Sequence, residues 1–240
     1  MNTRIRVWYN QIGFHNNPFS IKASKYDHRI LGSEEKVREI MNKISQGAMI
    51  YAHGEYGTGK TTMLKRIIRE FGGYRNIFYH SCNSGEKLDI PKLLKGKYRL
   101  LGRLLNLKAR GMILLLDEVQ CLTPEEEQEI LQHYSQKYIK TVILVGKDEE
   151  VNLSHEMKQA IGDNVYSFGT VTDENAVAMI RRRIGNLPLL SDEAIREINR
   201  RSQRNPRFLL ENCEDICRNA IDHGQRRVTE AEVREFFHSR

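Results

Sequence analysis

The sequence predicts a three-layer α/β core on a parallel five-stranded sheet, followed by a small helical domain. Three observations carry this. Five short apolar runs, at residues 48–52, 76–80, 112–117, 141–146 and 165–168, alternate with stretches of helical spacing. One of them, Met112-Ile113-Leu114-Leu115-Leu116, is apolar throughout, as a strand covered on both faces of a parallel sheet requires. After about residue 171 the strand-like runs stop, and Thr172, Ser191 and Thr229 each precede an amphipathic segment. The expected divisions are an N-terminal segment of residues 1–30, an α/β core of residues 31–170 and a helical domain of residues 171–240.

The first 30 residues carry Trp8, Tyr9 and Phe14, then Asn17-Pro18-Phe19, and read as an extended segment laid across the core. A helix follows, with Ser33 as its cap and Glu34 and Glu35 in the first turn, where carboxylates suit the positive end of the helix dipole.

The first strand runs into Gly54-Glu55-Tyr56-Gly57-Thr58-Gly59-Lys60-Thr61-Thr62, which fits the phosphate-binding pattern G-x-x-x-x-G-K-[ST]. Glycines at these spacings let backbone N–H groups turn inward around a phosphate chain, and the start of the next helix points its dipole at the same anion. Lys60 is expected to reach the β- and γ-phosphates and Thr61 to place its hydroxyl on Mg²⁺. The helix is marked by Met63, Leu64, Ile67, Ile68 and Phe71 and ends at Gly72-Gly73. Ile30 and Leu31, ahead of the first helix, are candidate contacts to the base.

Residues 91–110 read as a basic, leucine-rich helical region. The third strand closes on Asp117-Glu118, an acidic pair: one carboxylate can hold the shell of Mg²⁺, and the next can polarise an attacking water. Thr123-Pro124-Glu125-Glu126 is a capping box with proline at the first helical position. Thr229 and Glu232 form another.

The chain has 240 residues, 40% of them apolar, enough to bury a substantial core. No apolar run approaches the ~20 residues of a membrane span, and the polar start of the sequence does not read as a signal peptide. Cys82, Cys121, Cys213 and Cys217 lack paired-ligand spacing; Cys213 and Cys217 share a predicted helix face and are expected as core thiols, in a reduced cytoplasmic setting. A net charge of +7 favours an acidic partner, most simply nucleic acid.

Together these residues resemble the AAA+ ATPases. The run from Gly54 to Thr62 matches Walker A, Leu114-Leu115-Leu116-Asp117-Glu118 matches Walker B, and Asn205-Pro206-Arg207 resembles the sensor 2 motif. The resemblance implies a P-loop NTPase (AAA+) core with a helical lid, ATP and Mg²⁺ as cofactors, and Arg207 as a contact to the γ-phosphate. Within the superfamily the chain looks most like the origin-recognition and helicase-loader group, and like the ATP-binding proteins of transposition and secretion. Two departures stand out. The sensor 1 position, usually Asn or Thr, holds Gly146 followed by Lys147, which leaves Lys147 as the candidate. The stretch expected to supply an arginine finger, residues 154–163, contains no arginine; Lys158 is its one cation.

For DNA the sequence offers Lys92, Lys95, Lys97, Arg99, Arg103, Lys108 and Arg110, with no acidic residue among residues 92–110. Phosphate contacts from such a face give affinity without sequence preference. A second basic cluster, Arg181-Arg182-Arg183 with Arg196, Arg200, Arg201 and Arg204, lies in the helical domain. The expected protein is an ATPase that assembles as a homo-oligomer with ATP, on DNA or with a DNA-processing protein partner. A nucleotide-gated adaptor acting on protein without DNA, and an ATP-binding switch with very slow hydrolysis, stay open at this point.

Overall fold

The computed structural model describes residues 7–21, 34–72, 76–96 and 109–239. The chain divides into two compact units, Ser33–Phe168 and a second made of Met1–Gly32 with Gly169–Arg240.

In the α/β unit the chain runs through α1 (Glu34–Gln46), β1 (Met49–His53), α2 (Lys60–Glu70), β2 (Ile77–Ser81), α3 (Ile90–Gly96), β3 (Met112–Asp117), α4 (Pro124–Ser135), β4 (Ile139–Gly146), α5 (His155–Ile161) and β5 (Val165–Ser167). The five expected strands form one parallel sheet, ordered β2-β3-β4-β1-β5. β4 begins two residues earlier than its apolar run suggests, because Ile139 pairs with Met112 across a register shift.

Every residue of β1 is buried, as the near-continuous apolar strands of a covered parallel sheet require. Met49, Tyr51, Leu114, Leu116, Val142 and Leu144 pack with Ile130 of α4 and Met157 of α5. Ile50, Ala52, Ile113, Leu115 and Ile143, of opposite parity, are buried as well, so both faces are covered. Register then aligns the strand ends: Asp117 lies opposite Ser81 and Val145, and His53 opposite Gly146 and Ser167. That carboxyl edge is where parallel α/β sheets receive ligands.

The capping box at Thr123 is present, with Thr123 Oγ1 accepting from the Glu126 amide. The Glu126 carboxylate also accepts from the Leu88 amide at 3.0 Å and so fastens the loop before α3. The basic region expected to be helical over residues 91–110 is not helical to its end. α3 covers Ile90–Gly96, residues 97–108 lie outside the described residues, and Ala109 and Arg110 are irregular. The reason at that end is local: Gly111, with φ +70°, turns the chain into β3, and Arg110 stacks over the Tyr138 ring at 4.9 Å.

The second unit contains α6 (Asp173–Ile184), α7 (Asp192–Arg201), α8 (Pro206–Asp222) and α9 (Glu230–His238). Thr172, Ser191 and Thr229 each accept an amide of the first turn, as expected, and Asn205 caps α8 in the same way. Ile180, Ile195, Ile198, Leu209 and Val233 form its core with Cys213 and Cys217, whose thiols are buried there.

The N-terminal segment differs from the extended strap expected of it. Trp8–Ile12 form a 3₁₀ turn closed by Gly13 at φ +88°. Trp8 and Phe19 stack with ring centroids 6.1 Å apart, and both are buried in the core of the helical unit. Arg183 donates to the carbonyls of Pro18 and Ser20, and the Asn17 amide reaches Glu214 at 2.6 Å. The aromatic side chains explain the outcome: two large rings gain more by entering an apolar core than by lying over its surface. Among the described residues no helix is long and apolar enough to cross a membrane.

Candidate functional site

The loop between β1 and α2 is shaped by its glycines. Gly54 donates to the Lys147 carbonyl at 3.0 Å and sits against the Phe168 backbone. Gly57 and Gly59 adopt φ values of +87° and +101°. Gly59 is the N-cap of α2 and supplies no side chain, so the first-turn amides are left for whatever the loop encloses. Thr58 is buried and closes the turn by donating from Oγ1 to the Glu55 carbonyl at 2.8 Å. Glu55, Tyr56 and Thr61 are exposed on the loop and the first turn of α2, and Thr62 is half-buried.

Lys60 folds its ammonium into this loop, donating to the carbonyls of Gly54 and Glu55. Burial pulls its pKa below the ordinary lysine value, against the opposing charges of Asp117, Glu118 and Glu55. The two strand ends therefore place one cation and an acidic pair in electrostatic contact.

Asp117 terminates β3 with both carboxylate oxygens engaged. Oδ1 accepts from the Glu118 amide at 3.1 Å, and Oδ2 accepts from the Tyr79 hydroxyl at 3.3 Å. Burial first, and the charge of Glu118 second, push its carboxyl above the usual aspartate range. Glu118 takes a left-handed conformation, φ +58° and ψ +47°, at the turn into the 3₁₀ segment Val119–Cys121. Its carboxylate accepts from the Gln120 amide group. A left-handed conformation costs a non-glycine residue about 1–2 kcal/mol, and such strain gathers where a side chain must be aimed.

At the end of β4, position 146 leaves no room for a side chain. A Cβ on Gly146 would stand 2.5 Å from the Tyr51 hydroxyl, which donates to the Asp148 carbonyl. Burial, then the charge of Asp148, pushes the Tyr51 phenol up to about 12. The Lys147 ammonium lies 3.9 Å from the Glu55 carboxylate at the mouth of the loop.

The loop Gly54 to Thr62, Lys60, Asp117, Glu118 and Lys147 are thus brought together in the α/β unit. Arg207 belongs to the helical unit, at the start of α8, where its Nε pairs with Glu211 at 2.8 Å. Lys92 and Lys95 are exposed on α3, and Lys158 is exposed on α5. Ile30, Leu31, Lys97, Arg99 and Arg103 lie outside the described residues. Tyr79 and Tyr51 escaped the reading of the sequence; the signal was a polar-tipped ring within a strand, legible only once strands are paired. The donor set suits a nucleotide with a divalent ion. A glycine-lined anion cradle at an uncapped helix start adjoins two carboxylates, and such oxygen ligands match Mg²⁺.

A family model described as an AAA domain matches residues 46–168, just over half of the chain and nearly all of the α/β unit. The chain belongs to the AAA-domain family. Among curated proteins none matches it. Solved structures extend the likeness of this AAA protein beyond the matched region. A chain of Drosophila ORC bound to DNA is 17% identical with a TM-score of 0.64, and covers 91% of this chain and 63% of its own. Cdc6p from Pyrobaculum aerophilum is 16% identical with a TM-score of 0.62, over 88% of this chain and 67% of its own. A mutant of Thermotoga maritima RuvB is 18% identical with a TM-score of 0.65, over 84% of this chain and 68% of its own. At these identities the likeness shows a shared fold. This AAA protein spans less than two thirds of the Drosophila chain's length.

Proposed function

We propose that this AAA protein binds ATP with Mg²⁺ in the loop of residues 54–62 and hydrolyses it, and that the nucleotide state controls its assembly on DNA or with a DNA-processing partner. The observation that carries the reading is the placement of Lys60 among Asp117, Glu118 and the glycine cradle.

Lys60 exchanges its two carbonyl partners for the β- and γ-phosphates, and the amides of the loop and of α2 complete the cradle. Thr61 and Asp117 would hold the metal, which would supply positive charge to offset that of the phosphates. Glu118, aimed by its left-handed backbone, orients and deprotonates the attacking water. Arg207 is the proposed contact to the γ-phosphate and would release Glu211 to make it. Lys147, at the mouth of the loop, exchanges Glu55 for phosphate. Support for DNA as partner comes from the net charge of +7, the exposed Lys92 and Lys95, and a structural neighbour solved on DNA.

The test pairs two measurements. ATP turnover is compared between wild type and Glu118→Gln, and binding to unrelated duplexes is titrated against salt with and without ATP. The expected results are ATP turnover lowered by about 10²- to 10⁴-fold by the substitution, and ATP-strengthened binding whose log–log salt slope is about −0.9 per phosphate neutralised. Duplex binding absent under all conditions would move the reading to an adaptor for protein partners.

A further inference from the structure

The Asp117 carboxylate is held by two donors from different strands. The Glu118 amide reaches Oδ1 at 3.1 Å and the Tyr79 hydroxyl reaches Oδ2 at 3.3 Å. Tyr79 is two residues behind Asp117 in the pairing of β2 with β3: it lies opposite Leu115, while Asp117 lies opposite Ser81. Side chains two apart along a strand share a face, and the diagonal distance across a pair is within reach of a long aromatic side chain. Parallel pairing therefore delivers the phenol to the strand-end carboxylate.

We infer that Tyr79 is a positioning residue for the metal, fixing the plane of the Asp117 carboxylate through its hydroxyl so that the remaining lone pairs face the Mg²⁺ shell. The inference rests on the reading of the loop as an ATP–Mg²⁺ site. A carboxylate turns easily about its last torsion, which has broad wells rather than sharp ones. Two donors on two different oxygens remove that freedom. A carboxylate offers about four acceptor positions, so two remain after these bonds are made.

The chemical type of the donor matters. A lysine or arginine in place of Tyr79 would pair with Asp117 and compete with the cation for it. A neutral hydroxyl orients the carboxylate without cancelling its charge. Packing gives a weaker account of this residue, because Tyr79 is 43% exposed on the edge strand β2. On the face of Tyr79 the strand's apolar packing is supplied by Ile77, 1% exposed, and on the other face by Phe78, 5% exposed, so Tyr79 adds little to the core.

Outer-shell partners of metal ligands typically change metal affinity about 10- to 100-fold when removed. At 3.3 Å this bond is long for O–H···O, which sets the expectation at the low end, about tenfold. The experiment is calorimetric binding of the non-hydrolysable analogue AMP-PNP to wild type and Tyr79→Phe, across a Mg²⁺ series and in EDTA. The phenylalanine keeps the ring and removes the hydroxyl. A tenfold rise in the Mg²⁺ concentration that half-saturates tight binding, with unchanged affinity in EDTA, supports the inference. An unchanged Mg²⁺ requirement overturns it. An equal loss of affinity with and without Mg²⁺ also overturns it, because that marks a disturbed loop. Wild type that fails to bind AMP-PNP, or binds it without regard to Mg²⁺, refutes the ATP–Mg²⁺ reading itself, before any variant is compared.

Discussion

A β-carbon on Gly54 would stand 1.9 Å from the carbonyl oxygen of Phe168, a distance that no side chain can occupy. The two residues close the ends of β1 and β5 together: Phe168 donates its amide to the His53 carbonyl at 2.7 Å, and Gly54 follows at once. The start of the loop is thus built against the sheet, where only a residue without a side chain fits.

Gly54→Ala should accordingly push the loop off β5. The cost is expected at about 1–3 kcal/mol, the range for forced overpacking, with a larger loss in nucleotide affinity than in stability. Denaturant unfolding and nucleotide binding, measured on the same protein, check the two effects.

Lys60→Ala should weaken nucleotide binding by about ten- to a hundredfold, the worth of charge-assisted hydrogen bonds of about 1.5–3 kcal/mol. Glu118→Gln should leave binding in place and lower turnover by about 10²- to 10⁴-fold, as expected for loss of a general base. Turnover by Glu118→Gln at the wild-type rate would remove Glu118 from that role.

Arg207→Ala should leave the fold intact, since its ion pair with Glu211 at four-residue spacing is worth about 0.3–0.5 kcal/mol. The expected loss is the preference for ATP over ADP, read by competition binding. An unchanged ratio of the two affinities would assign Arg207 to helix stabilisation only.

Asp173 gives a prediction in pH. Burial opposes its ionisation, but hydrogen bonds from Asn199 and Arg200, with the charges of Arg200 and Arg204, outweigh that and hold its carboxyl below the usual 3.8. A carboxyl depressed in the folded state stabilises above the unfolded value, and that contribution is lost as pH falls through the folded one. Asp173→Asn should therefore cost about 1 kcal/mol at neutral pH, and the gap to wild type should close below about pH 4. Chemical unfolding at pH 7, 5 and 3.5 tests this; a gap of constant size would show that the charge of Asp173 is not involved.

The phosphate loop and the acidic strand end were legible in the sequence because each is encoded locally. Glycine spacing dictates the turn, Lys60 follows it at a fixed offset, and Asp117-Glu118 closes an unmistakably apolar run. The strands were legible for a similar reason, since a fully covered parallel strand cannot hide its composition. The contact of Tyr79 with Asp117 was not, because it depends on how β2 and β3 are registered, 38 residues apart in the chain. The reason for glycine at position 146 lies in the pairing of β1 with β4, where Tyr51 fills the space a side chain would need. The N-terminal aromatics announced burial but not where. Nothing local to Trp8 and Phe19 names α8 or Arg183 as neighbours.

The docking of that segment has a consequence for how the polypeptide matures on the ribosome. Asn17 meets Glu214, 197 residues later, and Trp8 and Phe19 enter a core built otherwise from residues beyond 170. At about 5–20 residues per second, the opening aromatics spend some ten to forty seconds in solvent before their partners are synthesised. Meanwhile the sheet and its phosphate loop, whose strands are complete by Ser167, can already close. Nucleotide is thus available to the nascent α/β unit before the helical unit exists.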